Sequence, residues 1–198
     1  HKGQIVESYP LIVDFCKQCF CIQLRHCLSK KELYSFYTYS TPKIASLDSH
    51  YSDLLIKLNS LGFATQKQSC IEIGSNNGNL LKFLEPHFNL VLGVDPARNI
   101  AQIAIDNGIN TIIDFFSNEV AQEIAEQYQK FDVVIARHMF AHNEDPADLL
   151  AAMSLILTDD GIFLIENAYA LDTFQNGEFD QIYHEHMFYF SALNISAL

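Results

Sequence analysis

Between Ile71 and Asn79 the chain reads Ile-Glu-Ile-Gly-Ser-Asn-Asn-Gly-Asn, an apolar run that ends in Gly74 and Gly78. A glycine turn after a strand lets a ligand approach the backbone closely and accepts the positive φ that other residues avoid. The next apolar run closes on Gly93-Val94-Asp95, which puts a carboxylate 21 residues beyond Gly74. That separation suits an acid bonding the hydroxyls of a ribose. A dinucleotide pyrophosphate asks for G-x-G-x-x-G, whereas this turn is G-x-x-x-G with Glu72 just ahead of it. The turn therefore disfavours a nicotinamide oxidoreductase and suits S-adenosylmethionine (SAM), which has no phosphate and whose cationic methionine end an acidic rim tolerates. Glu72, Gly74, Ser75, Asn76, Gly78, Asp95 and Pro96 are the candidate cofactor contacts, with Asp114 and Phe115 after a third run offering an acid and an aromatic surface for the adenine. The competing reading is geometric: such glycines also shape turns, and an Asp at a strand end also caps helices.

These residues need a scaffold, and the hydrophobic pattern supplies one. Short runs rich in Val and Ile at Cys70–Ile73, Leu90–Val94, Thr111–Ile113, Phe131–Ala136 and Ile162–Ile165 read as buried parallel strands. Helical stretches near Asn79–Leu84, Asn99–Asp106, Asn118–Gln127 and Pro146–Leu157 alternate with them. Alternation of this kind predicts an α/β fold with a doubly wound, Rossmann-like parallel sheet, whose ligands sit outside the carboxyl ends of the strands. Upstream, Phe20–Arg25 alternates with period two and reads as a strand. From Pro42 the apolar residues recur at three- and four-residue intervals as far as Leu61, predicting a helix that stops at Gly62.

Composition bounds the function. The 198 residues carry 12 Lys and Arg against 24 Asp and Glu, a formal charge of −12, and 49% are apolar. Such acidity repels a phosphate backbone, so a nucleic-acid partner is not expected. No apolar run approaches the roughly 20 residues that span a bilayer, and HKGQIVESYP lacks the apolar stretch of a signal peptide, so a soluble, cytoplasmic protein is expected. The charge is uneven. Residues 1–68 hold eight basic and five acidic side chains, residues 69–198 hold four and nineteen, and beyond Arg137 there is no Lys or Arg. An anionic ligand near the C-terminal part must find its cations elsewhere.

The chain resembles the SAM-dependent sugar C-methyltransferases that act on thymidine-diphosphate ketodeoxysugars. The resemblance runs from Cys16-Lys17-Gln18-Cys19 through Tyr37–Thr41, Glu72–Gly78, Gly93–Pro96 and Glu166–Tyr169, and is most specific over Phe179–Ser191, which contains Tyr183-His184-Glu185-His186. It implies a partial zinc-binding region over 1–41, a linking helix over 42–68, a class I methyltransferase domain over 69–170, and a catalytic signature segment over 171–198 that leads to a C-terminal domain. It also implies a second CxxC pair upstream of His1, a catalytic face of Tyr183, Glu185 and His186 opposed by His142, and a cofactor cover at Tyr37. The substrate implied is a small molecule, a nucleotide-diphosphate keto-sugar.

The chemistry of these side chains fits C-methylation. A carbon beside a ketone is no nucleophile until a proton leaves it, and a positioned base of suitable pKa contributes roughly 10²–10⁴-fold. His186 or His142 is expected to take that proton, Tyr183 and the other histidine to bond the enolate oxygen, and Glu185 to orient an imidazole. An O- or N-methyltransferase needs no such base, and a non-catalytic SAM-binding module needs none of these groups. The histidines also allow a metal site, from His138 and His142 or from His184 and His186 with Glu185 or Asp145. Cys16 and Cys19 make half of a structural zinc site, with Cys21 and Cys27 as imperfect substitutes.

Overall fold

A computed structural model of the chain describes residues 8–34 and 37–198. Strands β1 (Val13–Phe15) and β2 (Ile22–Leu24) form a hairpin, followed by the short helix α1 (Lys30–Tyr34) and by α2 (Ala45–Ser60). The alternating part runs β3 (Ser69–Ile73), α3 (Asn79–Leu84), β4 (Leu90–Val94), α4 (Arg98–Asp106), β5 (Thr111–Ile112), α5 (Asn118–Tyr128), β6 (Phe131–Arg137), α6 (Pro146–Ile156) and β7 (Leu157–Glu166). It closes with α7 (Ala170–Asn176), β8 (Phe188–Tyr189) and α8 (Ala192–Ile195).

The main sheet has the order β5-β4-β3-β6-β7, and its neighbouring pairs are parallel. Its strands are apolar on both faces because helices cover both. Ile71, Ile73, Val134 and Ala136 cluster with Val120 and Ile124 of α5 and Leu149 and Met153 of α6. The alternate positions Cys70, Val133 and Ile135 cluster with Leu58 of α2 and with Leu80, Leu81 and Leu84 of α3. Caps fix where the helices begin: the Ser117 hydroxyl accepts from Val120 N–H, and Asp145 accepts from Ala147 and Asp148 N–H with Pro146 at the first helical position. Because the chain steps from β3 outward through β4 and β5, then returns to β6 on the other side, the switch point falls between β3 and β6.

The elements at the two ends differ more from expectation. Phe20 has φ 58° and belongs to the turn, so the expected strand over 20–25 shortens to β2, and its hairpin partner β1 is an addition. Helix α2 starts only at Ala45, since Ile44 is still extended at φ −136°. The signature segment folds back on the N-terminal hairpin, where β8 pairs antiparallel with β2 to give a second sheet, β1-β2-β8. Met187 ties β2 to the turn after β6, donating its N–H to Ala141 O (2.9 Å) and accepting at its own carbonyl from Leu24 N–H (2.8 Å). Among the described residues, no helix is long and apolar enough to cross a membrane.

Candidate active site

A cavity of about 610 Å³ opens at the carboxyl ends of β3, β4 and β6, and the last residues of these strands and the loops after them line it. At one end lie Gly74, Asn76, Asp95, Pro96, Asp114, Phe115 and Phe116. Asp95 is 7% exposed, and its carboxylate is pinned by two backbone donors, Asn76 N–H to Oδ2 (2.8 Å) and Ala97 N–H to Oδ1 (2.9 Å). Burial raises its pKa, and the two backbone bonds oppose that rise. Each carboxylate oxygen has a second lone pair, so Asp95 can still accept from a ligand hydroxyl. Gly74 has φ +74°, and a Cβ there would stand 2.9 Å from Met139 Cβ, so the turn needs glycine for backbone shape and for packing.

The asparagines of this turn do work the sequence did not disclose. Asn76 Oδ1 accepts from Thr41 N–H and Oγ1, and its Nδ2 donates to Tyr39 O. Asn77 and Asn79 both donate from Nδ2 to Thr41 O, and Asn99 Nδ2 donates to Tyr37 O (2.7 Å). Together they strap residues 37–41 across the glycine turn. The signal was the run of amides itself, since such loop side chains favour backbone partners.

The other end of the cavity is lined by Tyr34, Tyr37, His142, Tyr183, Glu185 and His186. His186 Nδ1 lies 2.8 Å from Gln181 O and its Nε2 lies 2.8 Å from the Tyr183 hydroxyl. A carbonyl only accepts, so Nδ1 carries the proton and the Nε2 lone pair takes the Tyr183 O–H. Burial pushes the His186 pKa below its ordinary value, as does the charge of His138. His142 Nδ1 meets the Tyr34 hydroxyl at 2.9 Å, while its Nε2 is buried without a partner. Burial, helped by His186 and His138, lowers its pKa to about 3, and its ring centroid stands 5.1 Å from that of His186. Glu185 Oε2 accepts from the Tyr37 hydroxyl (3.0 Å). Burial and the Glu185 charge raise the pKa values of Tyr34 and Tyr37, so both remain protonated donors.

A charged network underlies this floor. Glu72 is fully buried and pairs with Arg137 (2.9 Å), whose guanidinium also lies over the Tyr51 ring. Burial raises the Glu72 pKa against the pull of Arg137. Glu166 bridges His138 (3.0 Å) and His50 (2.8 Å). Burial works against its ionisation, yet bonds from the two histidines and the charge of Arg137 hold its pKa down to about 2.

Of the residues expected from sequence to contact a cofactor, Tyr37, Gly74, Asn76, Asp95, Pro96, Asp114 and Phe115 line the cavity. Glu72, Ser75 and Gly78 do not line it. Glu72 pairs through Oε1 with Arg137 while its Oε2 is buried without a partner among the described residues, Ser75 is buried against Gly93, and Gly78 (φ +74°) starts α3 with its backbone against Ala104 of α4. His142, Tyr183, Glu185 and His186 do meet in one place. Glu185, however, holds Tyr37 rather than an imidazole, because Gln181 and Tyr183 already take both nitrogens of His186. His184 lies edge-on to Tyr9 and is not in the cavity wall. Tyr34 and Lys30, which sequence reasoning left out of the site, also line it.

Among the described residues, the donor set for zinc is the half-site of Cys16 and Cys19. Cys16 and Cys19 share the turn between β1 and β2, and hydrogen bonds from the Cys19 and Gln18 backbone lower the Cys16 pKa. Among the described residues no group of three or more His, Cys, Asp and Glu gathers as a metal site, and this holds for the histidines as well. Burial, with the charges of Cys19 and Cys16, raises the Cys21 thiol pKa to about 11. Burial likewise raises the pKa of Cys27. Two thiols are half of the tetrahedral complement a structural zinc needs.

Comparison with known proteins agrees with this architecture. The chain is 35% identical over 191 residues to the C-methyltransferase NovU of Streptomyces niveus, covering 96% of this chain and 45% of that protein. It therefore spans a little under half the length of that curated relative. The YcgJ protein of Bacillus subtilis shares the fold at a TM-score of 0.55 and 19% identity, over 75% of this chain and 65% of that one. The plantazolicin methyltransferase BamL, solved with S-adenosylhomocysteine (SAH) and a triazolic desmethylPZN analogue, matches at a TM-score of 0.54 and 18% identity, over 77% of this chain and 54% of that one. The family model described as a methyltransferase domain matches residues 47–198, from the helix before the glycine turn to the end of the signature segment, and the chain belongs to that family.

Proposed function

We propose that this chain carries the cofactor-binding and base-bearing part of a SAM-dependent methyltransferase that C-methylates a nucleotide-linked keto-deoxysugar. The observation that carries the reading is that one cavity joins the Gly74 and Asp95 turn to Tyr183, Glu185, His186 and His142. The likeness to a C-methyltransferase and the resemblance of the Phe179–Ser191 run support it. The residues fit an adenosyl ligand: a pinned, buried carboxylate for the ribose at Asp95, and Asp114 and Phe115 beside it for the base. When bound, SAM supplies an electrophilic methyl group for in-line displacement by carbon.

The remaining chemistry belongs to the chain. His186 is the base, since its Nδ1–H is fixed on Gln181 O and its Nε2 holds a lone pair in the cavity wall. The C–H bond beside the ketone breaks, its proton goes to Nε2, and the electron pair passes to the carbonyl oxygen as an enolate. Tyr183, released when Nε2 takes the proton, turns its O–H to that oxygen. His142, with a pKa of about 3, is too weakly basic for the proton and stays neutral. With Tyr34 donating to Nδ1, its Nε2–H becomes the second donor to the enolate. Glu185 and Tyr37 hold each other against the cofactor side.

The test follows solvent deuterium entering the carbon beside the ketone of a nucleotide-diphosphate keto-sugar, with SAH bound. Wild type exchanges, and His186→Asn slows exchange at least about 100-fold with SAH affinity within about threefold of wild type. The rate falls as pH drops through the His186 pKa, which lies below 6.5. Exchange that survives His186→Asn overturns the base assignment. SAH binding with methylation of oxygen or nitrogen, and no exchange, overturns C-methylation.

A further inference from the structure

Sequence left an electrostatic gap: a nucleotide-diphosphate substrate brings negative charge to a region with no Lys or Arg beyond Arg137. The fold closes the gap from the N-terminal side. Lys30 and Tyr34 stand one turn apart on α1 and reach adjacent residues of the loop after β6, Lys30 Nζ to Asn143 Oδ1 (2.9 Å) and Tyr34 Oη to His142 Nδ1 (2.9 Å). Both line the cavity, as does Asn143.

We propose that Lys30, held by Asn143 at the histidine end of the cavity, is the subsite for the phosphate-type anion of the substrate. The inference rests on the nucleotide-sugar reading and deepens it. Lys30 and Arg137 are the basic side chains in the cavity wall, and Arg137 is spent on the buried Glu72. Lys30 has no carboxylate partner among the described residues, and an ammonium has three donors, of which Asn143 takes one. The carboxylates Asp95 and Asp114 line the same cavity with Gly74 and Asn76 of the glycine turn. Lys30 is thus the cation of this wall, among the described residues, that is left to steer an anionic substrate, beside the carboxylate of Glu185. Asn143 is itself 8% exposed and its carbonyl also accepts from Asp145 N–H, so the ammonium is aimed by a fixed group rather than left on a loose stem.

The experiment compares Lys30→Met and Lys30→Arg with wild type in two assays, each at low and at physiological salt. Inorganic pyrophosphate binding is measured by calorimetry, and KM is measured with a nucleotide-diphosphate keto-sugar. Lys30→Met should weaken pyrophosphate and raise KM by about 10- to 100-fold, as expected for loss of a charge-assisted bond. It should also flatten the dependence of both on salt. Lys30→Arg should stay within about fivefold of wild type, and SAH affinity within about threefold in both variants shows that the fold is intact. A KM and salt dependence unmoved by Lys30→Met refute the subsite while leaving the methyltransferase reading standing. Lys30-dependent pyrophosphate binding without turnover of any nucleotide sugar supports the subsite and refutes that substrate. Equal losses in Lys30→Met and Lys30→Arg, with salt dependence retained, show a structural role only and refute the proposal.

Discussion

Asp95 is the residue on which the cofactor reading can be broken most cleanly. Its two oxygens each accept a backbone N–H, at 2.8 and 2.9 Å, in a position 7% exposed. Replacing it with Ala removes the acceptors for a ribose and orphans the N–H groups of Asn76 and Ala97. The second effect costs about 1–3 kcal/mol per orphaned donor, so Asp95→Ala should lose roughly 2–6 kcal/mol of stability. Asp95→Asn keeps the volume and one acceptor but sets an NH₂ group against the other backbone donor, and should lose about half as much. Loss of a charged acceptor to the ligand is worth about 1.5–3 kcal/mol, or about 10- to 150-fold in affinity. Titration calorimetry with SAH, run below the melting temperature of each variant, measures that loss, and denaturant unfolding with and without SAH separates it from stability. The pH dependence has a defined sign. Because burial raises the Asp95 pKa above 3.8, the carboxylate gains its proton, and SAH affinity falls, at a higher pH than for an exposed aspartate. An Asp95→Asn variant that binds SAH within threefold of wild type would falsify the ribose assignment.

The charged network gives two further predictions. Arg137→Met leaves Glu72 buried without its cation and should destabilise the fold by about 3–5 kcal/mol, while the double variant with Glu72→Gln should recover most of that; denaturant midpoints decide, and a double variant no better than the single sinks the pairing argument. Glu166, held at about 2 against an ordinary 4.5, contributes stability that is present above pH 4.5 and is lost as pH falls toward 2. About 1–3 kcal/mol should disappear across that window in wild type and less in Glu166→Gln, so parallel stability curves for the two proteins would contradict the bridge from His138 and His50.

The middle of the chain was legible because its elements declare themselves locally. A strand buried on both faces must be an apolar run, and a helix between two such strands must begin at a cap, as it does at Ser117 and Asp145. The glycine turn was readable for a related reason: positive φ at Gly74 and Gly78 leaves a residue-type signature. What escaped was pairing. A strand of two or three residues such as β1 or β8 carries too little alternation to be seen, and β8 depends on a partner more than 160 positions away. Glu72 escaped for another reason, since an acid two residues before a glycine turn looks the same whether it faces a ligand or Arg137, and only the side of the strand decides.

The site follows the same division. While His186 pairs locally with Tyr183 and Gln181, three pairs at the histidine end span a long stretch of chain: Tyr34 with His142, Tyr37 with Glu185, Lys30 with Asn143. In each of these three one member comes from the segment before α2 and the other from beyond β6. The pairing of β2 with β8 is what brings those segments to one cavity. The N-terminal region thus acts as a wall of the cavity, supplying protonated phenols and a cation to a region that has carboxylates and imidazoles but no Lys or Arg beyond Arg137. It follows that changes confined to the hairpin should reach the chemistry. A proline at Gln23, which removes an N–H from the short β2 ladder, should lower exchange at the substrate carbon. SAH binding should suffer less, because Asp95 and the glycine turn stand on the larger sheet. Equal losses of both would mean that the two ends of the cavity are not separable in this way.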